Sequence, residues 1–271
     1  MRKTLEYGVR IVVDARTMTL SRTQIDRLGD RLRRGSLADS DLRLLDQYRR
    51  SFGEAYEKVV DAIRNQLQLD PSGRPAKSTS SIIEKLHRES IRLVQVQDIA
   101  GCRIIVADRA EQERVVAALR AVLPAASVVD RRANPSYGYR AVHVVAQISG
   151  KSVEVQVRTS LQHAWAELSE KLSDLFDPAI KYGGGTDEVR EVLVSASELV
   201  EQVEAREGRI SDLGAGIAEL HQLSAPEDLP QRLPELLRGL AEARARISER
   251  KAKLGEVFNQ MIAEAERGEA S

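Results

Sequence analysis

Cysteine is almost missing from this chain of 271 residues, since Cys102 is the only one. A single thiol excludes an intrachain disulfide and a metal site built from several cysteines, and it favours a reducing compartment. No apolar run approaches the length of about 20 residues that a transmembrane helix needs. The stretch 1–14 also lacks the apolar centre of a secretory signal peptide. We therefore expect a cytoplasmic protein with no membrane partner.

Aromatic residues are also few, at 4%, and 41 Lys and Arg are balanced by 41 Asp and Glu. A hydrophobic content of 42% is enough for a folded core, which excludes a disordered polyelectrolyte. The zero net charge argues against a general polyanion binder. A local basic cleft is still possible, however, because a ligand is attracted by the charge of one region and not by the total. Residues 1–69 carry 14 basic and 10 acidic side chains, residues 70–160 carry 14 and 9, and residues 161–271 carry 13 and 22. The neutral total is therefore compatible with a basic cleft joined to an acidic appendage.

Changes of periodicity divide the chain into three segments. Apolar residues recur at three- or four-residue steps in the first, 1–69, which predicts helices. Strand-like runs alternate with helical ones in the second, 70–185, which predicts a mixed α+β region. The third, 186–271, predicts two long helices folded as an antiparallel hairpin, with a proline-rich break at 224–234. We expect this hairpin to pack on the body of the protein or on a second copy of the chain.

Local patterns predict three further details. Ser21 and Gln24 have the spacing of a capping box, so a helix is expected to begin after Ser21. The apolar step continues from 41 to 67, which predicts one helix there. A hairpin turn is expected at Ser149-Gly150-Lys151, between two strand-like runs.

Two basic motifs are suited to phosphate groups. A predicted helix after Lys77 carries Lys85 and Arg88 on one face, where cations and helix N–H groups can meet phosphate. A solvated basic face is the plainer alternative for this helix. Asp98-Ile-Ala-Gly-Cys-Arg103 then joins a carboxylate to an arginine at the start of a buried strand. Such a pattern can hold a metal ion and a phosphate side by side.

Two further motifs supply a tyrosine and a second carboxylate. Residues 134–143 place a tight turn before Tyr139, and an exposed aromatic ring there can stack on a nucleotide base. The strand predicted over 153–157 alternates valines with polar residues, and the polar residues share one face: Glu154, Gln156 and Arg158. The plainer alternative is that this face is simply exposed to solvent. Carboxylates on neighbouring strands with several Arg and Lys are what Mg²⁺-assisted phosphoryl transfer needs. The metal neutralises phosphate charge, and the spare carboxylate takes a hydroxyl proton.

Taken in order, the four motifs resemble the synthetase domain of the RelA/SpoT alarmone synthetases. The matching residues are Lys77, Ser81, Ile82, Lys85, Arg88, Asp98, Gly101, Arg103, Gly138 to His143, Glu154, Gln156, Arg158 and Thr159. The resemblance covers about residues 50–182. It implies a nucleotidyltransferase-like mixed β-sheet wrapped by helices. It also implies Mg²⁺-dependent transfer of pyrophosphate from ATP to the 3′ hydroxyl of GDP or GTP, which makes the (p)ppGpp of the stringent response.

Carried over position by position, the resemblance implies a role for each motif residue. Asp98 would be the Mg²⁺ ligand, and Glu154 the general base or a second metal contact. Tyr139 would stack on the acceptor base. The residues implied for the ATP phosphates and adenine are Lys77, Lys85, Arg88 and Arg103, with Ser81 in the same motif. Those implied for the acceptor side are Arg140, His143, Gln156 and Arg158.

The chain departs from the family pattern at three places, one of which is Asp174-Leu175, where small synthetases have a Tyr-Lys pair. Pro75 stands where the family has an arginine, which leaves Arg74 to take its part in ATP binding. Glu170 stands where small synthetases have a histidine. Two alternatives therefore stay open: the same chemistry on an adenine nucleotide or a tRNA 3′ end, as in toxin members of the family, or an impaired nucleotide-binding protein. The acidic appendage favours free nucleotides over tRNA.

Some residues have a structural alternative. His143 is equally a core histidine with satisfied hydrogen bonds, whereas Trp165 and His163 are expected to anchor a helix on the sheet, and Cys102 is expected in the core. The chain has no His-Asp dipeptide, which the hydrolase domain of the long family members carries, so a small stand-alone synthetase is expected. Small synthetases often form homo-oligomers through C-terminal helices, and the predicted hairpin could serve in the same way.

Overall fold

The computed structural model describes residues 20–35, 37–123, 125–222 and 229–269. Its elements in chain order are α1 (Arg22–Arg34), α2 (Asp39–Arg50), α3 (Gly53–Leu67), β1 (Ser72–Arg74), α4 (Thr79–Arg88), β2 (Ala100–Val106), α5 (Arg109–Val122), β3 (Ser127–Asp130), β4 (Val142–Ile148), β5 (Lys151–Thr159), α6 (Ser160–Leu175), α7 (Asp187–Gln222) and α8 (Leu229–Glu269). Within these ranges the chain forms two compact units. The helical unit holds residues up to 48 and 79–96, and the sheet unit holds 49–78 and 97–269. The units do not coincide with the predicted segments. α3, from the first segment, belongs to the sheet unit, and α4, from the second segment, belongs to the helical unit.

The helical unit shows the predicted capping box at the start of α1. Gln24 donates its main-chain N–H to Ser21 Oγ at 3.2 Å, and its side-chain oxygen accepts from the Ser21 N–H at 2.9 Å. Arg33 ties α1 to the end of α4 by donating to the main-chain oxygens of Leu86 and Ile91, at 3.0 and 2.6 Å. These contacts use groups that helix ends otherwise leave without intrahelical partners.

The single helix predicted over 41–67 is instead two helices. α2 ends at Arg50, and α3 begins at Gly53 after a turn at Ser51 and Phe52. The apolar step continues across the turn because Phe52 is itself buried, at 3% exposure. The apolar pattern therefore did not reveal the break between α2 and α3. Gly53 lowers the helix propensity at this point, because glycine is a poor helix former.

The sheet has five strands in the order β1-β2-β5-β4-β3, and β2 and β5 are parallel while the other pairs are antiparallel. The mixed α+β class is thus confirmed. β4 and β5 form the predicted hairpin, but Ile148 pairs with Lys151, so the turn itself is Ser149-Gly150. Both turn residues have positive φ, 51° and 74°, as a two-residue type I′ turn requires.

The two sides of the sheet differ in character. Val153, Val155 and Val157 are fully buried on one side, in a core that also includes Cys102 and residues of α3 and α5. The opposite side, called the polar face below, carries Arg103, His143, Glu154, Gln156 and Arg158. The alternation seen in the sequence therefore assigned both sides of β5 correctly.

α7 and α8 form the predicted antiparallel hairpin. Glu207 accepts from Lys251 Nζ at 2.7 Å, and Gly214, seven residues further along α7, lies beside Arg244, seven residues earlier on α8. The break is shorter than 224–234, because α8 begins at Leu229 and contains Pro234. Pro234 is the sixth residue of α8, beyond the first turn, so it removes one main-chain donor from inside the helix. Among the described residues, no helix combines the length and the apolar character that crossing a bilayer requires.

Candidate active site

The Asp98 carboxylate lies directly before β2 and is paired with Lys77. Lys77 Nζ is 2.7 Å from Asp98 Oδ2, and the two side chains are only 13% and 19% exposed. The main-chain N–H of Lys77 donates to the oxygen of Ile99 at 2.7 Å, which fixes this segment against the strand start. Both predicted residues are thus held together at the edge of the sheet.

Glu154 lies on β5 beside the start of β2. Its register partner is Gly101, three residues after Asp98. A Cβ atom at position 101 would lie 2.7 Å from the main-chain oxygen of Glu154. The two strands therefore approach this closely because residue 101 is a glycine.

Opposing effects set the pKa of the Glu154 carboxyl. Burial raises it; hydrogen bonds from His143 and Gln156, together with the charge of a protonated His143, lower it; and the negative charge of Asp98 raises it again. The hydrogen bonds prevail, and the pKa of Glu154 is held below its usual range. Glu154 is therefore an ionised carboxylate at neutral pH, close enough to Asp98 for the two charges to interact.

Five side chains of the polar face and its rim are joined in a closed ring of hydrogen bonds. His143 Nδ1 lies 2.9 Å from Glu154 Oε1, and His143 Nε2 lies 2.9 Å from the Tyr139 hydroxyl. Arg158 Nη2 donates to that hydroxyl at 3.1 Å and to Gln156 Oε1 at 2.7 Å. Gln156 Nε2 closes the ring by donating to Glu154 Oε2 at 2.8 Å. The side chains implied by two separate motifs thus form one connected cluster.

Burial distinguishes this cluster from a solvated face. The Glu154 side chain is 13% exposed, and Arg158 and His143 are exposed by only 3% and 9%. His143 is thus a buried histidine with both ring nitrogens in hydrogen-bond contact, one of them with Glu154, while its implied place on the acceptor side stays a prediction.

Tyr139 is not the freely exposed ring that its turn suggests. It is half-buried, the Arg158 guanidinium lies 5.0 Å from its ring centre, and burial raises the pKa of its hydroxyl despite that cation. Tyr137, two residues earlier, is 60% exposed. Gly138 between them has φ of 90°, and a Cβ there would lie 2.7 Å from the Trp165 ring, so only glycine fits this turn.

Arg103 extends the polar face toward α6. Its Nη1 lies 3.4 Å from His163 Nδ1 and 3.2 Å from Glu167 Oε1. Burial and the positive charge of Arg103 lower the pKa of His163. His163 therefore contacts a predicted site residue, whereas Trp165 is 3% exposed and anchors α6 to α7 by donating to the Leu193 oxygen at 2.8 Å.

Arg140, two residues before β4, contacts α7 and not the ring of hydrogen bonds, and its implied place on the acceptor side stays a prediction. Its guanidinium is 9% exposed, donates to Ser197 Oγ at 2.9 Å and pairs with Glu201 of α7 at 3.0 Å. Arg140 is thus a structural link between the sheet and α7.

The remaining predicted residues lie outside this cluster. Ser81, Lys85 and Arg88 are on α4, which belongs to the helical unit. Lys85 Nζ and Arg88 Nη2 lie 4.0 and 2.9 Å from the Glu89 carboxylate. Arg74 is in β1, where its main chain is the register partner of Gly101.

A buried polar network behind the cluster was not predicted. Glu204 of α7 accepts from Thr159, Gln162 and Arg109. Thr159 and Gln162 form a capping box at the start of α6, and their spacing is legible in the sequence. Nothing local distinguishes Glu204 from the other acidic residues of α7, because its partner Arg109 is 95 positions away.

Two carboxylates are available to hold a metal ion. Within the described ranges, no group of three or more His, Cys, Asp or Glu is arranged for one. Asp98 and Glu154 are hard oxygen donors, and Mg²⁺ is commonly held by one or two carboxylates together with the phosphates of a substrate. The donor set therefore fits Mg²⁺ that arrives with a phosphate-bearing substrate.

Comparison with known proteins gives matches centred on the same region. Residues 73–173 match the family model described as the region found in RelA / SpoT proteins. An uncharacterized protein of Mycobacterium tuberculosis is 34% identical over 163 residues, 58% of this chain and 59% of the relative, so the chain spans about three-fifths of that relative's length. The solved small alarmone synthetase 1 from Bacillus subtilis is 29% identical, with a TM-score of 0.47, over 65% of this chain and 97% of that one. A solved protein of Streptococcus mutans is 26% identical, with a TM-score of 0.45, over 63% and 95%.

Proposed function

We propose that this chain, whose residues 73–173 match the model of the region found in RelA / SpoT proteins, transfers pyrophosphate from ATP to the 3′ hydroxyl of GDP or GTP and so makes (p)ppGpp. The main support is the proximity of Asp98, just before β2, to Glu154 on the neighbouring β5, with the Lys77 ammonium 2.7 Å from Asp98. Carboxylates flanked by cations are the arrangement that metal-assisted phosphoryl transfer requires.

Glu154 acts as the general base in this proposal. Its carboxylate takes the proton of the acceptor 3′ hydroxyl, and the hydroxyl oxygen forms a bond to the β-phosphorus of ATP. The bond from that phosphorus to the oxygen bridging the α-phosphate breaks, and AMP leaves with the electron pair. The lowered pKa of Glu154 supports this role, because a base must be ionised before it accepts a proton.

Asp98 and Glu154 would hold Mg²⁺, which neutralises charge on the ATP phosphates when it is bound. Lys77, which pairs with Asp98, and Arg103, which lies on the polar face with Glu154, would contact those phosphates through charge-assisted hydrogen bonds. On the acceptor side, Tyr139 offers its ring to the base of the acceptor, with His143 and Gln156 beside it. Ser81, Lys85, Arg88 and Arg74 remain proposed ATP contacts on the family resemblance alone.

A labelled-phosphate assay tests this proposal. Purified protein would be incubated with Mg²⁺ and ATP labelled in its β- and γ-phosphates, and offered GDP, GTP, ATP or deacylated tRNA in separate reactions. Glu154→Gln removes the base at nearly constant size, and Glu198→Gln, an exposed residue of α7, is its matched control.

We expect Glu154-dependent transfer to GDP or GTP that Glu198→Gln leaves unchanged. Transfer only to ATP or tRNA would reassign the acceptor. Absence of Glu154-dependent transfer to every acceptor would refute the proposed chemistry and favour a nucleotide-binding protein without activity.

A further inference from the structure

A donor and an acceptor can be assigned to each hydrogen bond of the ring formed by Glu154, His143, Tyr139, Arg158 and Gln156. We call this assignment the direction of the ring. Arg158 can only donate hydrogen bonds, because a guanidinium has five N–H donors and no acceptor. It donates to the Tyr139 hydroxyl and to Gln156 Oε1. Both neighbours must therefore accept on the side that faces Arg158.

The Gln156 arm follows directly. Because Gln156 Oε1 accepts from Arg158, the amide nitrogen is the group left to face Glu154, and it lies 2.8 Å from Glu154 Oε2. A reversed amide would set its oxygen against a carboxylate oxygen and its NH₂ against the guanidinium.

The tyrosine arm follows in the same way. The Tyr139 oxygen accepts from Arg158, and its one hydroxyl proton can be donated to His143 Nε2, 2.9 Å away, because the ionised Glu154 carboxylate on the other side of the imidazole can only accept. A ring nitrogen that accepts carries no proton, so the proton of the neutral imidazole is on Nδ1. His143 Nδ1 then donates to Glu154 Oε1 at 2.9 Å.

We propose that Arg158 is a positioning residue that sets the direction of both arms, so that each Glu154 oxygen receives an N–H donor. This inference rests on the proposed function of Glu154 as the base. Arg158 thereby orients the Glu154 carboxylate through Tyr139 and Gln156, and it does so without touching the substrate.

Burial supports this role over direct contact with a nucleotide. Arg158 is 3% exposed, and its hydrogen bonds to Tyr139 and Gln156 both leave from Nη2. Its Nε and Nη1 are buried without a hydrogen-bond partner. An apolar side chain would avoid the cost of burying these unsatisfied groups, so packing alone does not account for an arginine here.

The direction of the ring can be measured without substrate or activity. The full chain labelled with ¹⁵N-histidine would be examined by NMR at a pH where the ordinary imidazole is neutral. His143→Gln identifies the His143 signals among the four histidines. We expect a proton on Nδ1 and a bare Nε2 that accepts from Tyr139. A proton on Nε2 would overturn the proposal even if the protein proves to be an active synthetase.

Kinetics test the positioning role. We expect Arg158→Met to lower kcat by about tenfold or more, with the acceptor KM changed by less than about threefold. Arg158→Lys, which can also only donate, should recover part of kcat. Arg158→Gln should not, because an amide can accept as well as donate.

A double-mutant cycle separates action through neighbours from direct contact. In a chain that already carries Tyr139→Phe and Gln156→Met, adding Arg158→Met should lower kcat little further. A large additional loss, or a rise in acceptor KM with kcat unchanged, would overturn the proposal and make Arg158 a substrate contact. If no variant and no wild-type sample transfers pyrophosphate, the proposed function fails while the NMR result still decides the direction of the ring.

Discussion

Glu204 on α7 accepts a hydrogen bond from Arg109 Nε on α5 at 2.9 Å, although its own side chain is only 1% exposed. The same carboxylate accepts from the hydroxyl of Thr159. Thr159 directly follows Arg158, so a buried charge of the hairpin holds the main chain next to the hydrogen-bonded ring.

Arg140, two residues before β4, makes a similar link to α7. It directly follows Tyr139, and its guanidinium pairs with Glu201, one helical turn before Glu204 on α7. The hairpin therefore supports the backbone beside both Tyr139 and Arg158. It contributes to the candidate site although none of its own side chains belongs to the ring.

Glu204→Ala tests the strength of this attachment. Removing the Glu204 carboxylate leaves the buried groups of Thr159 and Gln162 without this acceptor and takes one of two carboxylate partners from Arg109, which keeps Glu201. The free energy of unfolding should therefore fall by about 1–3 kcal/mol. Denaturant unfolding followed by circular dichroism measures the change. Glu198→Ala, an exposed glutamate of the same helix, should stay within about 0.5 kcal/mol of wild type. Equal losses in the two variants would contradict a specific anchoring role.

Strand periodicity predicted β5 and the side on which each of its residues lies, whereas the short strand β1 was not predicted. The alternation on β5 assigned the valines to the core and Glu154, Gln156 and Arg158 to one shared face. The family resemblance drawn from the four motifs was confirmed over residues 73–173. Periodicity does not reveal what covers a face, however, and the burial of Arg158 became visible only in three dimensions.

Long-range partners account for most of what the sequence did not predict. Arg140 carries a motif position, yet Ser197 and Glu201, 57 and 61 residues later, determine where its guanidinium lies. The turn at 51–52 was missed for a related reason, since burial of Phe52 preserved the apolar step. Local pattern reports which residues are buried, whereas their partners depend on packing between distant elements.

Gly101→Ala tests the close approach of β2 and β5. The added methyl would lie 2.7 Å from the Glu154 main-chain oxygen, so the strands must shift, at a cost of about 1–3 kcal/mol in unfolding free energy. Displacing Glu154 by as little as about 1 Å should also lower kcat by about 100-fold. Gly53→Ala is the matched control, because nothing lies within 4 Å of its Cβ position. Full activity in Gly101→Ala would show that the spacing of these strands does not matter for catalysis.

Lys77→Met tests the pair with Asp98. The carboxylate, which is 19% exposed, loses its ammonium partner, so the unfolding free energy should fall by about 1–3 kcal/mol. If Lys77 also contacts the ATP phosphates, the KM for ATP should rise. Lys58→Met removes a lysine from a pair with Glu54 in which both side chains are more than half exposed, and it should cost less than about 1 kcal/mol. A loss of stability with unchanged ATP kinetics would make the Lys77 pair purely structural.

Cys102 provides a prediction on pH that does not depend on the proposed activity. Burial, with the charge of Glu154, raises the pKa of its thiol to about 12, whereas an unfolded thiol titrates near about 8.5. Above about pH 9 the unfolded chain has therefore lost a proton that the folded chain keeps, so stability should fall by about 1.4 kcal/mol per pH unit until the folded thiol also titrates. The stabilisation that comes from keeping the Cys102 thiol protonated in the folded chain is fully present at any pH below the pKa of the unfolded thiol.

Comparing wild type with Cys102→Ala between about pH 9 and 11 isolates this effect. Tyr48, whose pKa burial also raises to about 12, titrates in both proteins and cancels in the difference. We expect the wild type to lose stability more steeply than the variant as the pH rises. The thiol should also resist Ellman's reagent at neutral pH until denaturant is added, since it is 5% exposed. Parallel decline of the two proteins, or rapid labelling of the folded chain, would show that Cys102 is not held protonated in the core.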